Sequence, residues 1–198
     1  MAERVFAERA PLAHAFAPGT HGTPGTGVGV TLEVRRDLAF FSILAKRVRL
    51  AELAQTMVGI GLSLPPLGQF VSRGSSRLLW SGPDHWSLVG PPSEVERVVV
   101  ACEGHALTAD QSDGRAIVAV SGPRARVVLA KGVPLDLHPR VFKPGMTAVT
   151  EVAGVAVQIW QTDEAPTYEL SFPRSFAEHF WGWLTHSAAE YGYDAVES

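Results

Sequence analysis

The sequence predicts an α+β fold in which two similar β-α-β-β-α units form antiparallel sheets, each with helices on one face. Runs with a period of two alternate along the chain with runs that have a helical period, and this alternation supports both element types. The order of patterns in residues 28–110 recurs in residues 111–198. We therefore expect one compact globular unit of two α+β halves, preceded by an extended N-terminal arm over residues 1–27.

Strand and helix patterns follow one another through the first half. Hydrophobic residues alternate with small or polar ones over residues 28–34, and residues 38–44 form an apolar run, so both stretches are typical of strands. Apolar residues recur at helical spacing over residues 50–61 and predict a helix that ends before Pro65. Residues 77–89 predict a hairpin, because two short apolar runs flank the turn-forming sequence Gly-Pro-Asp.

The second half repeats this order. We expect a strand, a helix, an additional strand and two paired strands at residues 115–120, 123–131, 147–152, 155–160 and 167–172.

Each half is expected to end with a helix. Ser93 and Glu96 have the spacing of a capping box, and so do Ser175 and Glu178 at the start of a helix that runs to Tyr191.

The two halves also share residues at one constant offset. Trp86, Leu88, Pro91, Ser93 and Glu96 match Tyr168, Leu170, Pro173, Ser175 and Glu178. These matches indicate an internal duplication. Convergence on good capping chemistry is the alternative, because Ser-x-x-Glu boxes are common.

The arm is rich in proline and glycine, so it predicts no regular structure of its own. Leu12 and Phe16, however, are more apolar than a solvated tail requires. Two interpretations are open: a disordered tail, or an arm that becomes ordered by lying along a partner subunit.

Composition excludes several classes of protein. A net charge of −3 at pH 7 gives no bias toward nucleic acid or anionic membranes, so neither is expected as a partner. The apolar region at residues 53–70 is broken by polar residues and prolines and cannot form a spanning helix of about 20 apolar residues. Glu3 and Glu8 argue against a signal peptide. The single Cys102 excludes an internal disulfide, fits a reducing compartment and makes the cytoplasm the default expectation.

No residue pattern marks an active site on this chain. The sequence lacks a Gly-x-Ser-x-Gly elbow, and Cys102 lies on a helical stripe that is predicted to be buried. His179, His186 and Glu190 share a helix face, but that face is expected to be a solvated surface. We therefore expect no catalytic residue, no cofactor-binding residue and no metal ligand here.

Arg124 and Arg126 are the most informative charged pair. Cations in a first helical turn oppose the helix dipole, so a compensating anion is a reasonable expectation. Together with free backbone N–H groups they could bind a carboxylate or a phosphate, from a ligand or from a partner subunit. Two solvated arginines are the alternative.

One segment indicates a family. The run SGPRARVVLAKGVPLDLHP at residues 121–139 resembles the γ subunit of heterotetrameric sarcosine oxidase. The runs WSGPDHWSLV, RVFKPG, PRSFA with the later WGWL, and APLAH resemble the same family in the same order. More distantly, SGPRAR is similar to a segment of the folate-binding aminomethyltransferases of the glycine cleavage system, which implies their fold.

The resemblance implies a four-subunit bacterial enzyme that oxidatively demethylates sarcosine or a related N-methyl amino acid. Its alpha, beta and delta subunits would be the partners, mainly the large folate-binding subunit, and FAD, FMN, NAD and tetrahydrofolate would lie on those partners. This chain would be the gamma accessory subunit that stabilises the complex. Its candidate interface or anion contacts are Arg124, Arg126, Phe16 and Leu12.

Two other functions remain open. The distant likeness allows a stand-alone folate-binding or aminomethyltransferase-like module, although no residue here can be matched to the catalytic carboxylate of those longer enzymes. A small homo-oligomeric binding protein is the third hypothesis.

Overall fold

The computed structural model describes Leu12, residues 14–23, Gly25 and residues 27–198. The strands in chain order are β1 (Gly19–His21), β2 (Val30–Arg35), β3 (Ala39–Ala45), β4 (Phe70–Arg73), β5 (Ser76–Gly82), β6 (His85–Gly90), β7 (Ala106–Asp110), β8 (Arg115–Ser121), β9 (Thr147–Val152), β10 (Val155–Asp163), β11 (Thr167–Pro173) and β12 (Tyr193–Glu197). The α-helices are α1 (Leu50–Gly59), α2 (Pro92–Ala101), α3 (Ala125–Leu129) and α4 (Ala177–Ala188).

Two sheets are built from two units with the same order of elements. The first unit runs β3-α1-β4-β5-β6-α2-β7, and the second runs β8-α3-β9-β10-β11-α4-β12. The strand orders are β4-β5-β6-β3-β7 in one sheet and β9-β10-β11-β8-β2-β12-β1 in the other. When β1 and β2 are left out, the equivalent strands of the two units follow the same order, with β9, β10, β11, β8 and β12 in the places of β4, β5, β6, β3 and β7. The α+β prediction is confirmed, but each unit has more strands than β-α-β-β-α, because β4, β7 and β12 are too short to give a clear alternation.

The placement of β2 corrects the assignment of residues 28–110 to the first half. This strand pairs antiparallel with β8 and parallel with β12, so it belongs to the sheet of the second unit. Its side chains explain the placement, because Val30, Leu32 and Val34 are buried in the core of that unit. In chain order, β1 and β2 of the seven-stranded sheet therefore precede all strands of the five-stranded sheet.

The arm also differs from the sequence prediction. Residues 19–21, predicted to have no regular structure, form β1, which pairs antiparallel with β12 through Gly19 opposite Ala195 and His21 opposite Tyr193. The outer edge of β12 would otherwise leave N–H and C=O groups unpaired, and β1 satisfies them. Residues 1–11, 13, 24 and 26 lie outside the described residues.

The helix starts correct the predicted capping boxes. Neither Ser93 nor Ser175 caps a helix through its side chain. Helix α2 instead begins at Pro92, where the fixed φ of proline suits a first helical position. A 3₁₀ turn, Arg174–Phe176, precedes α4.

Helix α4, with 12 residues, is the longest helix in the described part of the chain. None of the described helices is long and apolar enough to cross a bilayer.

Each sheet buries one face under its own helices. Phe172 of β11 stacks on Phe180 of α4 with ring centroids 4.1 Å apart, inside a core that also holds Val118 and Leu184. In the first unit, side chains of β3, β5 and β6 pack against α1 and α2 in the same way. Burying each large apolar side chain stabilises the fold by roughly 1.5–3 kcal/mol.

The other faces of the two sheets meet in a middle layer. Its apolar part is one buried cluster of five side chains: Phe40, Leu79, Val89, Ile117 and Trp160. Beside this cluster the layer is polar, and Gln158 of the second unit bonds to both Ser81 Oγ and the carbonyl of Trp80 in the first, at 3.2 Å each. The N–H of Phe70 donates to the carbonyl of Gly145 at 2.8 Å. The units are thus joined by hydrogen bonds as well as by apolar packing.

A buried carboxylate forms the charged part of this layer. Glu169 is 2% exposed and lies between Arg35 Nη1 at 3.4 Å and Arg77 Nη1 at 3.5 Å. Arg77 belongs to the first sheet, whereas Glu169 and Arg35 belong to the second. Burial raises the pKa of Glu169, and the two guanidinium groups lower it only in part.

The contact between β5 and β6 predicts a steric test. A Cβ atom added at Gly90 would lie 2.8 Å from the Cα atom of Ser76, a backbone atom that cannot turn away. We expect Gly90→Ala to lower the free energy of unfolding by about 1–3 kcal/mol. Gly59→Ala, whose Cβ would meet nothing within 4 Å, is the control and should change it by less than about 1 kcal/mol. Urea unfolding measures both, and equal values would contradict the close approach.

The raised pKa of Glu169 predicts a pH dependence. Because the folded pKa lies above the unfolded value, the contribution of this group to stability is present below its ordinary pKa of 4.5 and is lost as pH rises through the folded pKa. Glu169→Gln abolishes this titration. We therefore expect the stability of the natural chain relative to the variant to fall as pH rises above 4.5. Urea unfolding over a pH series measures the free energy of unfolding of both chains, with the exposed Glu103→Gln variant as control. If the free energies of the natural chain and of Glu169→Gln change in parallel with pH, the prediction is wrong.

Candidate functional site

The start of α3 holds the two arginines that the sequence analysis singles out. Gly122 precedes the helix with φ 106°, and a Cβ there would lie 2.9 Å from the carbonyl oxygen of Gly29, so the turn requires glycine. The N–H of Arg124 donates to that same carbonyl at 3.1 Å. These contacts fix α3 against the beginning of β2. The helix has only five residues, which is shorter than the predicted 123–131.

The side chain of Arg124 lies on the surface. Its guanidinium carbon is 5.7 Å from the ring centroid of Tyr191, and Lys131 Nζ is 4.8 Å from the same centroid. Lys131 also donates to the carbonyl of Ser187 at 2.6 Å and forms an ion pair with Glu190. The hydrogen bond that Lys131 donates to the Glu190 carboxylate lowers the pKa of Glu190. We call Arg124, Lys131, Tyr191 and Glu190 the Tyr191 patch.

Arg126 points inward and does not join Arg124. Its guanidinium carbon is 6.0 Å from the ring centroid of Tyr168, and its Nε atom is buried without a hydrogen-bond partner among the described residues. Burial raises the pKa of Tyr168, and the nearby charge of Arg126 offsets part of that rise. The two arginines therefore do not form one anion-binding site. Arg124 faces solvent, whereas Arg126 covers the second core.

Leu12 and Phe16 contact their own chain. Leu12 is fully buried in the core of the second unit, which corrects the expectation that it contacts a partner subunit. The ring of Phe16 lies 5.6 Å from that of Trp181 on α4. The guanidinium carbon of Arg36 lies 5.9 Å from the Phe16 ring. The apolar character of the arm is thus explained by α4, whose broad aromatic face accepts both side chains.

No metal centre forms in the ranges that the structure describes, where no three His, Cys, Asp or Glu side chains come together. His179 Nε2 lies 3.3 Å from the carbonyl oxygen of Ala153, and Glu190 is engaged by Lys131.

Sequence reasoning missed two parts of this surface. The sequence places Tyr191 only at the end of the final helix. Its two cationic neighbours, Arg124 and Lys131, flank α3 and lie far from Tyr191 in the sequence. Lys131 gave no signal, because its partners follow it by more than 50 residues and depend on the contact between α3 and α4.

Comparison with known proteins identifies the family. Residues 48–190 match the family described as "Sarcosine oxidase, gamma subunit family". The sarcosine oxidase subunit gamma of Corynebacterium sp. (strain P-1) is 35% identical over 209 residues, which cover 98% of this chain and 96% of that protein. The subunit gamma of Arthrobacter sp. is 30% identical over 202 residues, with the same coverage of 98% and 96%.

Solved structures agree at the level of the fold. A chain of the heterotetrameric sarcosine oxidase from Corynebacterium sp. U-96, solved in complex with pyrrole 2-carboxylate, aligns with a TM-score of 0.77 at 28% identity and covers 93% of this chain and 96% of its own. Aminomethyltransferase T of the glycine cleavage system from Bartonella henselae aligns with a TM-score of 0.63 at 14% identity and covers 86% of this chain and 48% of its own.

These matches confirm the family resemblance and the resemblance to the aminomethyltransferase fold. The likeness to the gamma subunits extends over nearly the full length of both proteins, so it includes both units and the strands β1 and β2. The chain belongs to the sarcosine oxidase gamma subunit family.

Proposed function

We propose that this chain is the gamma accessory subunit of a heterotetrameric sarcosine oxidase-type enzyme and stabilises the complex that oxidatively demethylates sarcosine or a related N-methyl amino acid. The observation that carries the proposal is the end-to-end likeness to sarcosine oxidase gamma subunits, at 35% identity over 98% of the chain. The 0.77 TM-score to a chain of a heterotetrameric enzyme supports it.

The proposed partners are the alpha, beta and delta subunits, mainly the large folate-binding subunit. The Tyr191 patch supports this role, because Arg124 is exposed and lies on an aromatic ring that holds its side chain in place. Arginine and tyrosine are among the residues that contribute most to protein interfaces. Phe16 is partly buried, its described ring contacts are with Trp181 and Arg36, and the part of its ring that stays accessible keeps it a candidate contact.

The proposed cofactors, FAD, FMN, NAD and tetrahydrofolate, would be carried by the partner subunits. This division of roles rests on the likeness to the sarcosine oxidase gamma subunits. This chain would then contribute by packing and by positioning its partners, and the chemistry of amine oxidation would be supplied by the flavins bound elsewhere.

No residue in the described part of the chain supports either of the alternative functions. Likeness to aminomethyltransferase T at 14% identity shows the fold alone, and this chain spans about half the length of that enzyme. Folate binding by the isolated chain and homo-oligomer formation therefore stay predictions of the sequence.

A cytoplasmic location is part of the proposal. The single cysteine supports it, because Cys102 is a free thiol within the first core. Burial raises its pKa to about 11, which keeps the thiol protonated and unreactive.

Co-expression tests the proposed function. The chain is produced together with the alpha, beta and delta subunits of a sarcosine oxidase-type enzyme from the same organism and analysed by gel filtration. We expect one peak that contains all four chains, because the gamma subunit is held by contacts with larger partners. A chain that elutes alone while the other subunits assemble without it would contradict the proposal.

The different positions of the two arginines predict different effects. Arg124→Ala should weaken assembly about 5- to 10-fold and change the stability of the isolated chain by no more than about 0.5 kcal/mol, because Arg124 is exposed. Arg126→Ala should lower the stability of the isolated chain by about 1 kcal/mol, because it removes packing over Tyr168.

Sedimentation measures assembly and urea unfolding measures stability for these variants. Arg47→Ala is the control, since Arg47 is an exposed residue of the first unit that pairs only at the surface with Asp84. Unchanged assembly of Arg124→Ala would remove the Tyr191 patch from the interface.

A further inference from the structure

The last strand of the five-stranded sheet has an open edge. Strand β7 pairs with β3 alone among the described strands. The N–H of Gln111 donates to the carbonyl of Phe40, and the N–H of Lys46 donates to the carbonyl of His105. Because antiparallel residues alternate in the direction of their backbone groups, the N–H and C=O of Thr108 and Asp110 point away from β3. We call this side of the strand the β7 edge.

The second unit shows what covers the equivalent edge. Strand β12 occupies the position of β7, and its outer side pairs with β1 of the N-terminal arm. A few residues before β1, the arm places Phe16 against Trp181 of α4. An extended segment with one aromatic anchor therefore completes the second unit, and the first unit has no such segment in the described part of the chain.

An open groove lies where that anchor would sit in the first unit. It has a volume of about 490 Å³ and is lined by α2, by the start of β3 and by the end of β7. Val99 lines it and is related to Trp181 by the same offset that relates Trp86 to Tyr168. Leu38 and Phe41 supply further apolar surface. We call this the α2 groove.

The charges around the α2 groove favour a cationic occupant. Its acidic residues are Asp37, Glu96 and Asp110, of which Asp37 already pairs with Arg35 at 3.5 Å. Its one basic residue, Arg36, pairs with Glu197 at 2.7 Å. Glu96 is exposed and has no ion-pair partner among the described residues. A lysine or arginine side chain would complement it.

The face of the sheet beside this edge is also apolar and exposed. Leu107 of β7 lies opposite Leu44 of β3, and the two are 61% and 46% exposed. Adjacent exposed leucines at an unpaired strand mark a surface that another chain can cover.

We propose that the β7 edge and the α2 groove receive an extended segment of a neighbouring subunit, which adds antiparallel to β7. One of its apolar side chains fills the groove beside Val99, a lysine or arginine faces Glu96, and alternate side chains cover Leu107. The inference rests on the proposed function, because the segment is taken to come from another subunit of the same enzyme. It goes further by naming the strand, the groove and the chemistry of the segment.

Hydrogen exchange tests the added strand without any substitution. The four-subunit complex and the isolated chain are compared at single-residue resolution. We expect the amides of Thr108 and Asp110 to exchange about tenfold or more slowly in the complex, because they gain backbone partners. The amide of Val149 on β9, the other edge of the second sheet, should be unchanged. Equal exchange at Thr108 in both samples would overturn the proposal.

Proline variants test the backbone contact. Thr108→Pro removes an outward N–H and leaves the bonds to β3 in place, so it should weaken assembly about tenfold. Val149→Pro makes the same change on β9 and is the matched control. Equal weakening by both variants would assign the loss to general destabilisation and would overturn the proposal.

Charge reversal tests the chemistry of the segment. Glu96→Lys should weaken assembly about 5-fold or more, whereas Glu103→Lys, at an exposed residue beyond the end of α2, should not. Tighter assembly of Glu96→Lys would contradict a cationic segment. If the unsubstituted chain fails to assemble at all, the proposed function fails. If it assembles while β7 stays unprotected and both proline variants behave alike, only this inference fails.

Discussion

One carboxylate joins the two halves of this protein. Glu169 has almost no access to water and lies between an arginine of its own sheet and an arginine of the facing sheet. Removing either arginine would leave a buried charge with fewer partners, which is costly in an interior of low dielectric. The ion pairs of Glu169 therefore link the two sheets through charged groups from both of them. The apolar cluster around Trp160 adds packing energy beside them.

The two units share one topology but differ in the segments that surround them. Each unit has the same order of strands and helices, yet β1, β2 and the arm all join the second unit. The second sheet thus gains an inserted strand, a covered edge and an aromatic anchor for α4. Within the described part of the chain, the first sheet keeps an unpaired edge at β7 and a groove beside α2. The two units therefore have the same topology and present different surfaces.

Much of this could be predicted from the sequence, and the failures have physical causes. The strands β5, β6, β10 and β11 are visible in the sequence, because their short apolar runs and the turn residues between them are local features of the chain. The partner of Glu169 is not, because Arg77 lies far away in sequence and meets it only after the sheets pack. Likewise α3 shows that two arginines are present, whereas the inward direction of Arg126 depends on Tyr168 from another strand.

The parallel pairing of β2 with β12 has a consequence for how the chain is made. Strand β2 leaves the ribosome well before β12, because all of the five-stranded sheet and most of the second unit lie between them in the chain. The larger sheet cannot be completed until β12 has been synthesised, whereas the smaller sheet consists of consecutive strands and can form earlier. Nor can the chain be divided after β7, because such a fragment would carry β2 without either of its neighbours. The two units share one topology, but the second sheet is complete only with β2, which precedes the first unit in the chain.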